Sequence, residues 1–121
     1  QKFELAARVQ RLVGNSGEEI DHSIIRLNDL YVDLAKYDVF VGSRKVTLTY
    51  KEFQLLVALA ANPGHVFSRE DLLSRVWGYD YLGGTRTVDV HIRRLRSKIE
   101  DASHVFVETV WNVGYRFNTE N

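Results

Sequence analysis

The spacing of hydrophobic positions changes period several times along the chain, and each change predicts an element. Phe3, Ala6, Val9 and Val13 fall at helical spacing, which predicts an amphipathic helix of about three turns over residues 3–13. Gly14-Asn15-Ser16-Gly17 breaks it, and a polar stretch from Glu18-Glu19 to Ser23 reads as a linker. A helix this short is marginal alone in water, so it must dock on the domain or belong to a neighbouring one. From Leu30 the period becomes two. Leu30, Val32 and Leu34 alternate with Tyr31 and Asp33, then Tyr37, Val39 and Val41 alternate with Asp38 and Phe40. These are half-buried strands, and Gly42-Ser43 ahead of Val46 suits a two-residue turn with glycine first, so a small antiparallel sheet is expected.

Thr49-Tyr50-Lys51-Glu52 opens a helix with a capping box, and Leu48 can pack on Phe53 as a staple. Phe53, Leu56, Val57, Leu59 and Ala60 make that helix apolar over much of its circumference, as a central core helix would be. Asn62-Pro63-Gly64 stops it, because the residue before proline is pushed out of the helical region. Val66-Phe67 reads as a short apolar link. Ser68 then caps a second helix, with Asp71 in the reciprocal position and Leu72, Leu73 and Val76 facing inward. A loop over 78–84, rich in glycine and tyrosine, leads to a basic helix from about Arg86 to Ile99. The strand 105–111, a turn at Asn112-Val113-Gly114 and the strand Tyr115-Arg116-Phe117 complete an alternating hairpin.

Composition excludes more than it assigns. The 121 residues suit one compact domain and a tail, and the absence of cysteine removes disulfide scaffolds, thiol catalysis, cysteine-ligated zinc and iron–sulfur clusters together. No apolar run approaches the roughly 20 residues of a bilayer span, so a cytoplasmic protein is expected. The first residue is Gln1 rather than Met, which suggests a fragment of a longer chain. Net charge is zero, yet residues 85–99 hold five Lys or Arg against one acid, while 68–84 and 100–121 are both acidic in balance. Local charge, not the sum, decides what a surface binds.

On a helical wheel Val88, Ile92, Leu95 and Ile99 fall within roughly 40° of one another and form a seam that packs on the core. Opposite lie Arg86, Thr87, Val90, Arg93, Arg94 and Ser97; Asp89 and Arg96 take one flank, His91 and Lys98 the other. Arginine's planar fork suits phosphates and the paired acceptors of guanine, and an exposed valine gains a partner opposite a thymine methyl. One α-helix fits the B-DNA major groove. The plainer reading is a solvated basic face, and a second functional reading is a protein-interaction module whose basic helix meets an acidic protein partner.

The run Val76-Trp77-Gly78-Tyr79-Asp80-Tyr81, followed by Thr85-Arg86-Thr87-Val88-Asp89-Val90-His91-Ile92-Arg93-Arg94-Leu95-Arg96, resembles the effector domain of OmpR/PhoB-type response regulators. Leu48-Thr49, Lys51-Glu52-Phe53 and Gly114-Tyr115-Arg116-Phe117 agree with it, over roughly residues 27–118. The resemblance implies an α+β winged helix-turn-helix: an N-terminal antiparallel β-sheet, a three-helix core and a C-terminal β-hairpin wing, spanning 24–121. Residues 1–23 resemble the last helix of a preceding receiver domain plus a linker. The resemblance further implies double-stranded DNA as partner, bound as direct repeats by a tandem dimer. It also implies a receiver domain and sensor kinase in the full-length protein, and no cofactor. Val90 and Arg94 would contact bases; Trp77, Arg86, Thr87, His91, Arg93, Arg96 and Thr109 would contact phosphates. Trp111, Asn112 and Tyr115 would lie in the wing, and Tyr79, Asp80 and Tyr81 in a loop that can touch RNA polymerase.

Three positions depart from that family's pattern. Tyr50 replaces a frequent proline at the first helical turn, which the cap at Thr49 tolerates. Gly84 replaces a frequent aspartate, so Thr85 is expected to cap the basic helix. Trp111-Asn112 replaces a frequent Arg-Gly in the wing; tryptophan lacks the charge that draws arginine into a narrow minor groove, which leaves it the sugar–phosphate backbone or a subunit contact. Of Trp77, Tyr79 and Tyr81, an exposed role is expected only for Trp77, and His91 reads equally as an ordinary exposed residue. His22, His65, His91 and His104 show no paired metal spacing; neither a phosphate loop nor a nucleophile elbow is present. No enzyme constellation emerges.

Overall fold

A computed structural model describes residues 23–78 and 80–118. The expected helix over 3–13, its linker and Tyr79 lie outside the described residues. The chain opens with a four-stranded antiparallel meander, β1 (Ile24–Leu27), β2 (Leu30–Asp33), β3 (Asp38–Val41) and β4 (Arg44–Val46), in the spatial order of the sequence. Then follow α1 (Tyr50–Ala60), β5 (Phe67–Ser68), α2 (Arg69–Trp77), α3 (Arg86–Ile99), β6 (Val107–Val110) and β7 (Gly114–Phe117). β5, β7 and β6 form a second antiparallel sheet in that order. Among the described residues, no helix is long and apolar enough to cross a membrane.

The period-two signal positions the first sheet. Leu30, Val32, Val39, Val41 and Val46 are buried on its core face. The opposite face carries Arg26, Tyr31, Phe40 and Lys45 in one cross-strand row. Val41 pairs with Arg44 across Gly42-Ser43, and only Gly42 of the two has a positive φ, as a type II′ turn requires. One expectation fails here, and one strand carries no period-two signal. β1 is the silent strand: Ile24-Ile25-Arg26-Leu27 has no alternation, and three of its four residues are half-buried because it is an edge strand. Tyr37 is not an inward strand residue. It takes φ +58° in the β2–β3 turn and is mostly exposed, its ring meeting Phe53 edge-on at 4.9 Å.

The core of the helical half follows the apolar spacing. Phe53, Leu55, Leu56, Leu59 and Ala60 of α1 are buried against Leu72 and Val76 of α2 and all four seam residues of α3. The α1 capping box is complete: Glu52 N donates to Thr49 Oγ1 at 3.3 Å and Thr49 N donates to Glu52 Oε1 at 3.0 Å. The same carboxylate, 1% exposed, accepts from Lys98 Nζ at 2.7 Å, tying the start of α1 to the end of α3. Burial pushes the Glu52 pKa up, but the hydrogen bonds to Lys98 and the Thr49 amide outweigh it and hold the carboxyl below its ordinary value.

The second helix has half a box. Ser68 Oγ accepts from Asp71 N at 3.0 Å, but the Asp71 carboxylate pairs with Arg75 one turn on instead of reaching back. Phe67, expected in a link, is a strand residue paired with Tyr115, so the segment before α2 docks onto the hairpin. The hairpin turn lies one residue earlier than expected. Val110 faces Gly114, Val113 N donates to Val110 O, and Asn112 takes φ +68°. Gly114 begins β7 because β5 crosses too close for a side chain: a Cβ there would lie 1.9 Å from the Phe67 carbonyl oxygen.

Behind α3, His104 stands between two carboxylates, Nε2 2.7 Å from Asp29 and Nδ1 2.9 Å from Asp101. Each ring nitrogen must carry hydrogen to donate, so the imidazolium fits. Hydrogen bonds to Asp29 and then Asp101 raise the His104 pKa above its ordinary value. The stabilisation is therefore complete below the unfolded value of about 6.5 and disappears as pH rises through the folded one. The urea midpoint is expected to fall as pH rises above about 6.5, and His104→Gln to flatten that decline. An unchanged slope in the variant would assign the pH dependence elsewhere. Gly114→Ala is expected to lose about 1–3 kcal/mol, the scale of an overpacked site, in the same urea measurement.

Candidate nucleic-acid interface

α3 presents two unlike sides. Val88, Ile92, Leu95 and Ile99 are buried as a seam, while Arg86, Arg93 and Arg94 are exposed on the far side with Val90 half-buried among them. None of these three guanidinium groups has a hydrogen bond or ion pair among the described residues. Ser97 Oγ beside them donates to its own Arg94 carbonyl. The start of the helix is not closed by a side chain. Thr85 is the N-cap residue, but its backbone is helical and its hydroxyl makes no cap bond; three-residue turn bonds from Thr87 N to Gly84 O and from Val88 N to Thr85 O serve instead. Capping by Thr85 is thus corrected: a cap residue needs extended backbone to aim its oxygen at the first amides.

The remaining basic residues of α3 are held by protein. Lys98 is committed to Glu52. Arg96 Nη1 donates to Thr109 Oγ1 at 3.1 Å across to β6, and its Nε lies 3.5 Å from Glu100. Arg96 and Thr109, both expected at phosphates, are therefore joined to each other. Asp89, the one acid of α3, accepts from Arg69 Nε at 3.1 Å and Nη2 at 2.6 Å, and from the Tyr115 hydroxyl at 2.8 Å. Burial, then the Asp89 hydrogen bond, pushes the Tyr115 phenol up to about 12, so it stays a donor. Tyr115 is in β7 as expected, but its side chain is turned to α3 rather than to the hairpin tip. Arg69 was missed because its partner lies twenty residues away; the sole sequence signal was a lone acid on an arginine-rich helix.

On the other flank, His91 Nδ1 donates to the Thr87 carbonyl at 2.8 Å and its ring meets Trp77 edge-on at 4.9 Å. Trp77 is half-buried, with Lys51 Nζ 5.7 Å from its ring centre and Tyr81 beyond, and its indole N–H has no acceptor among the described residues. Tyr81, not expected to be exposed, is 40% accessible, Leu82 is almost entirely so, and Asp80 is exposed too. At the hairpin tip Trp111 is 83% exposed, beside exposed Asn112 and Val113. A cleft of about 490 Å³ separates this tip from Arg69 and Glu70 at the start of α2. The expected base, phosphate and wing residues thus occupy one continuous region, from Trp77 across α3 to the hairpin.

The family described as transcriptional regulatory protein, C terminal, matches residues 43–117. The heme response regulator HssR of Staphylococcus epidermidis is 42% identical over 115 residues, 94% of this chain and 49% of that protein. The chain spans about half the length of the curated relatives it matches. Among solved structures, the Klebsiella pneumoniae RstA DNA-binding domain in complex with RstA box is similar with a TM-score of 0.72 and 35% identity, over 82% of this chain and all of that one. Response regulator DrrB, a Thermotoga maritima OmpR/PhoB homolog, has a TM-score of 0.72 and 36% identity, over 79% of this chain and 44% of its own.

Proposed function

The chain belongs to the family of C-terminal domains of transcriptional regulatory proteins, of OmpR/PhoB type, and from that premise we propose that it binds double-stranded DNA sequence-specifically as the effector domain of a two-component response regulator. The observation that carries this reading is the exposed face of α3, where three arginines lack any partner among the described residues while every other charge of the helix is occupied. α3 enters the major groove. Arg94 and Val90 face base edges, the first toward guanine and the second toward a thymine methyl. Arg86, Arg93, the indole N–H of Trp77, Thr87 and His91 hold phosphates, and Arg96 and Thr109 present one further phosphate site as a joined pair. Trp111 and Asn112 rest on the sugar–phosphate backbone beyond.

Residues 1–23 correspond in sequence to the end of a receiver domain and its linker, and a sensor kinase acts through that receiver in the cytoplasm. The alignment of nearly this entire chain with half of HssR supports that division. Two copies occupy direct repeats head to tail, and Asp80, Tyr81 and Tyr79 belong to a loop that meets RNA polymerase. Transcriptional regulation, not catalysis, is the activity.

Selection of bound sites from random duplexes is expected to return a defined motif repeated at fixed spacing. On that motif, log K against log salt concentration is expected to fall by about 0.9 for each neutralised phosphate, with several phosphates per domain. Arg94→Ala is expected to relax base preference by about 1–3 kcal/mol, whereas Arg93→Ala weakens all sequences alike and lowers the salt slope by about 1. Equal losses on selected and random duplex for both variants would reject the assignment of bases to Arg94. A chain that selects no motif and binds duplex only weakly would favour an acidic protein as partner of α3.

A further inference from the structure

Two side chains on one flank of α3 reach the hairpin, and they are spaced two turns apart. Asp89 meets Tyr115 of β7, and Arg96 meets Thr109 of β6. Seven residues of helix span about 10 Å. Thr109 and Tyr115 are themselves directly opposed in the hairpin ladder, so the two ties land side by side on neighbouring strands. A single contact would let the hairpin pivot; two contacts along the helix axis, joined to two strands, fix its angle. The Tyr115 backbone is held from the other side by pairing with Phe67 of β5. Asp89 is further clamped by two donors of Arg69, Nε and Nη2, at the first residue of α2, so its position does not depend on the hairpin.

From this we infer that Tyr115 and Asp89, backed by Arg69, are positioning residues for DNA recognition: they set the angle of the hairpin against α3, and with it the place on the duplex where Trp111 lands. The inference rests on the DNA-binding reading above. Electrostatics supports the same assignment. A bare carboxylate in the first turn of a helix that approaches phosphates would oppose binding, and here Arg69 neutralises it while Tyr115 takes a remaining lone pair. Asp89 therefore holds the hairpin without acting as a free negative charge on the binding face. Tyr115 acts through Trp111 and does not itself touch DNA. Its loss should then matter only while a tip residue is present to be aimed.

The test is a double-variant cycle in the 121-residue chain, on a duplex carrying the motif the wild-type chain selects, read by affinity and by backbone cleavage protection. Tyr115→Phe is expected to weaken binding about 3- to 10-fold, the scale of one hydrogen bond's net contribution, and to abolish protection of the backbone segment beyond the α3 site. Guanine protection under α3 is expected to remain. In a Trp111→Ala background the same change is expected to cost less than about 2-fold, because nothing is left to aim. Asp89→Ala, which cuts the tie from the helix side, is expected to give the Tyr115→Phe footprint. Equal losses from Tyr115→Phe in both backgrounds, or retained protection beyond the α3 site, would overturn the positioning role while leaving DNA binding standing. A wild-type chain that protects no duplex segment would overturn the DNA-binding reading itself.

Discussion

Everything on the outer side of α3 is decided by what its inner side buries. Val88, Ile92, Leu95 and Ile99 are at most 1% exposed, and burying four aliphatic side chains of this size contributes about 6–12 kcal/mol. Repulsion among exposed arginines on one helix costs a few tenths of a kcal/mol per pair, so the seam wins easily. Rotation of the helix is fixed by the same burial, since a turn of about 100° would drive an arginine into the core. Lys98 adds a second lock at the far end. Its ammonium meets a carboxylate that is itself fixed by the Thr49 cap, so the first turn of α1 and the last turn of α3 are set together.

That arrangement explains how a chain of zero net charge offers a strongly cationic face. Several acids are tied up in pairs and hydrogen bonds within the scaffold. Glu52 takes Lys98, Glu100 accepts from the Phe106 and Val107 amides, Glu108 takes Arg116, and Asp89 takes Arg69. What remains unpaired on α3 is positive and lies on its outer side. Field, not total charge, steers a polyanion toward a surface, and the field here points from α3.

How far the sequence alone reached follows from the range of each interaction. The seam, the arginine face, the Thr49 capping box and the Gly42 turn were legible because each is set by residues within about three turns of one helix or one hairpin of one another. β1 was silent and Tyr37 was misjudged for one reason: alternation reports a half-buried strand, and neither an edge strand without a polar face nor a turn residue with an apolar ring obeys it. β5 was hidden because two residues carry no period, and its pairing with Tyr115 joins positions far apart in sequence. The Asp89 clamp was hidden likewise: Arg69 and Tyr115 lie twenty and twenty-six residues from it.

The hairpin tip sharpens where sequence discrimination must reside under the proposed reading. Among the described residues from 105 to 118 the one cation is Arg116, and it is bound to Glu108 at 2.6 Å on the strand, away from the Trp111–Asn112 tip. A tip without a free cation gains nothing from the negative potential of a narrow minor groove, so groove width cannot be read there by charge. Trp111 offers a large flat surface instead, which favours sugar and backbone atoms common to every sequence. Base identity then falls to Arg94 and Val90 on α3, and the hairpin contributes by where it lands rather than by what it reads. A device that works by placement needs a rigid mount more than a specific tip, which is what two ties to α3 and a third strand from β5 provide.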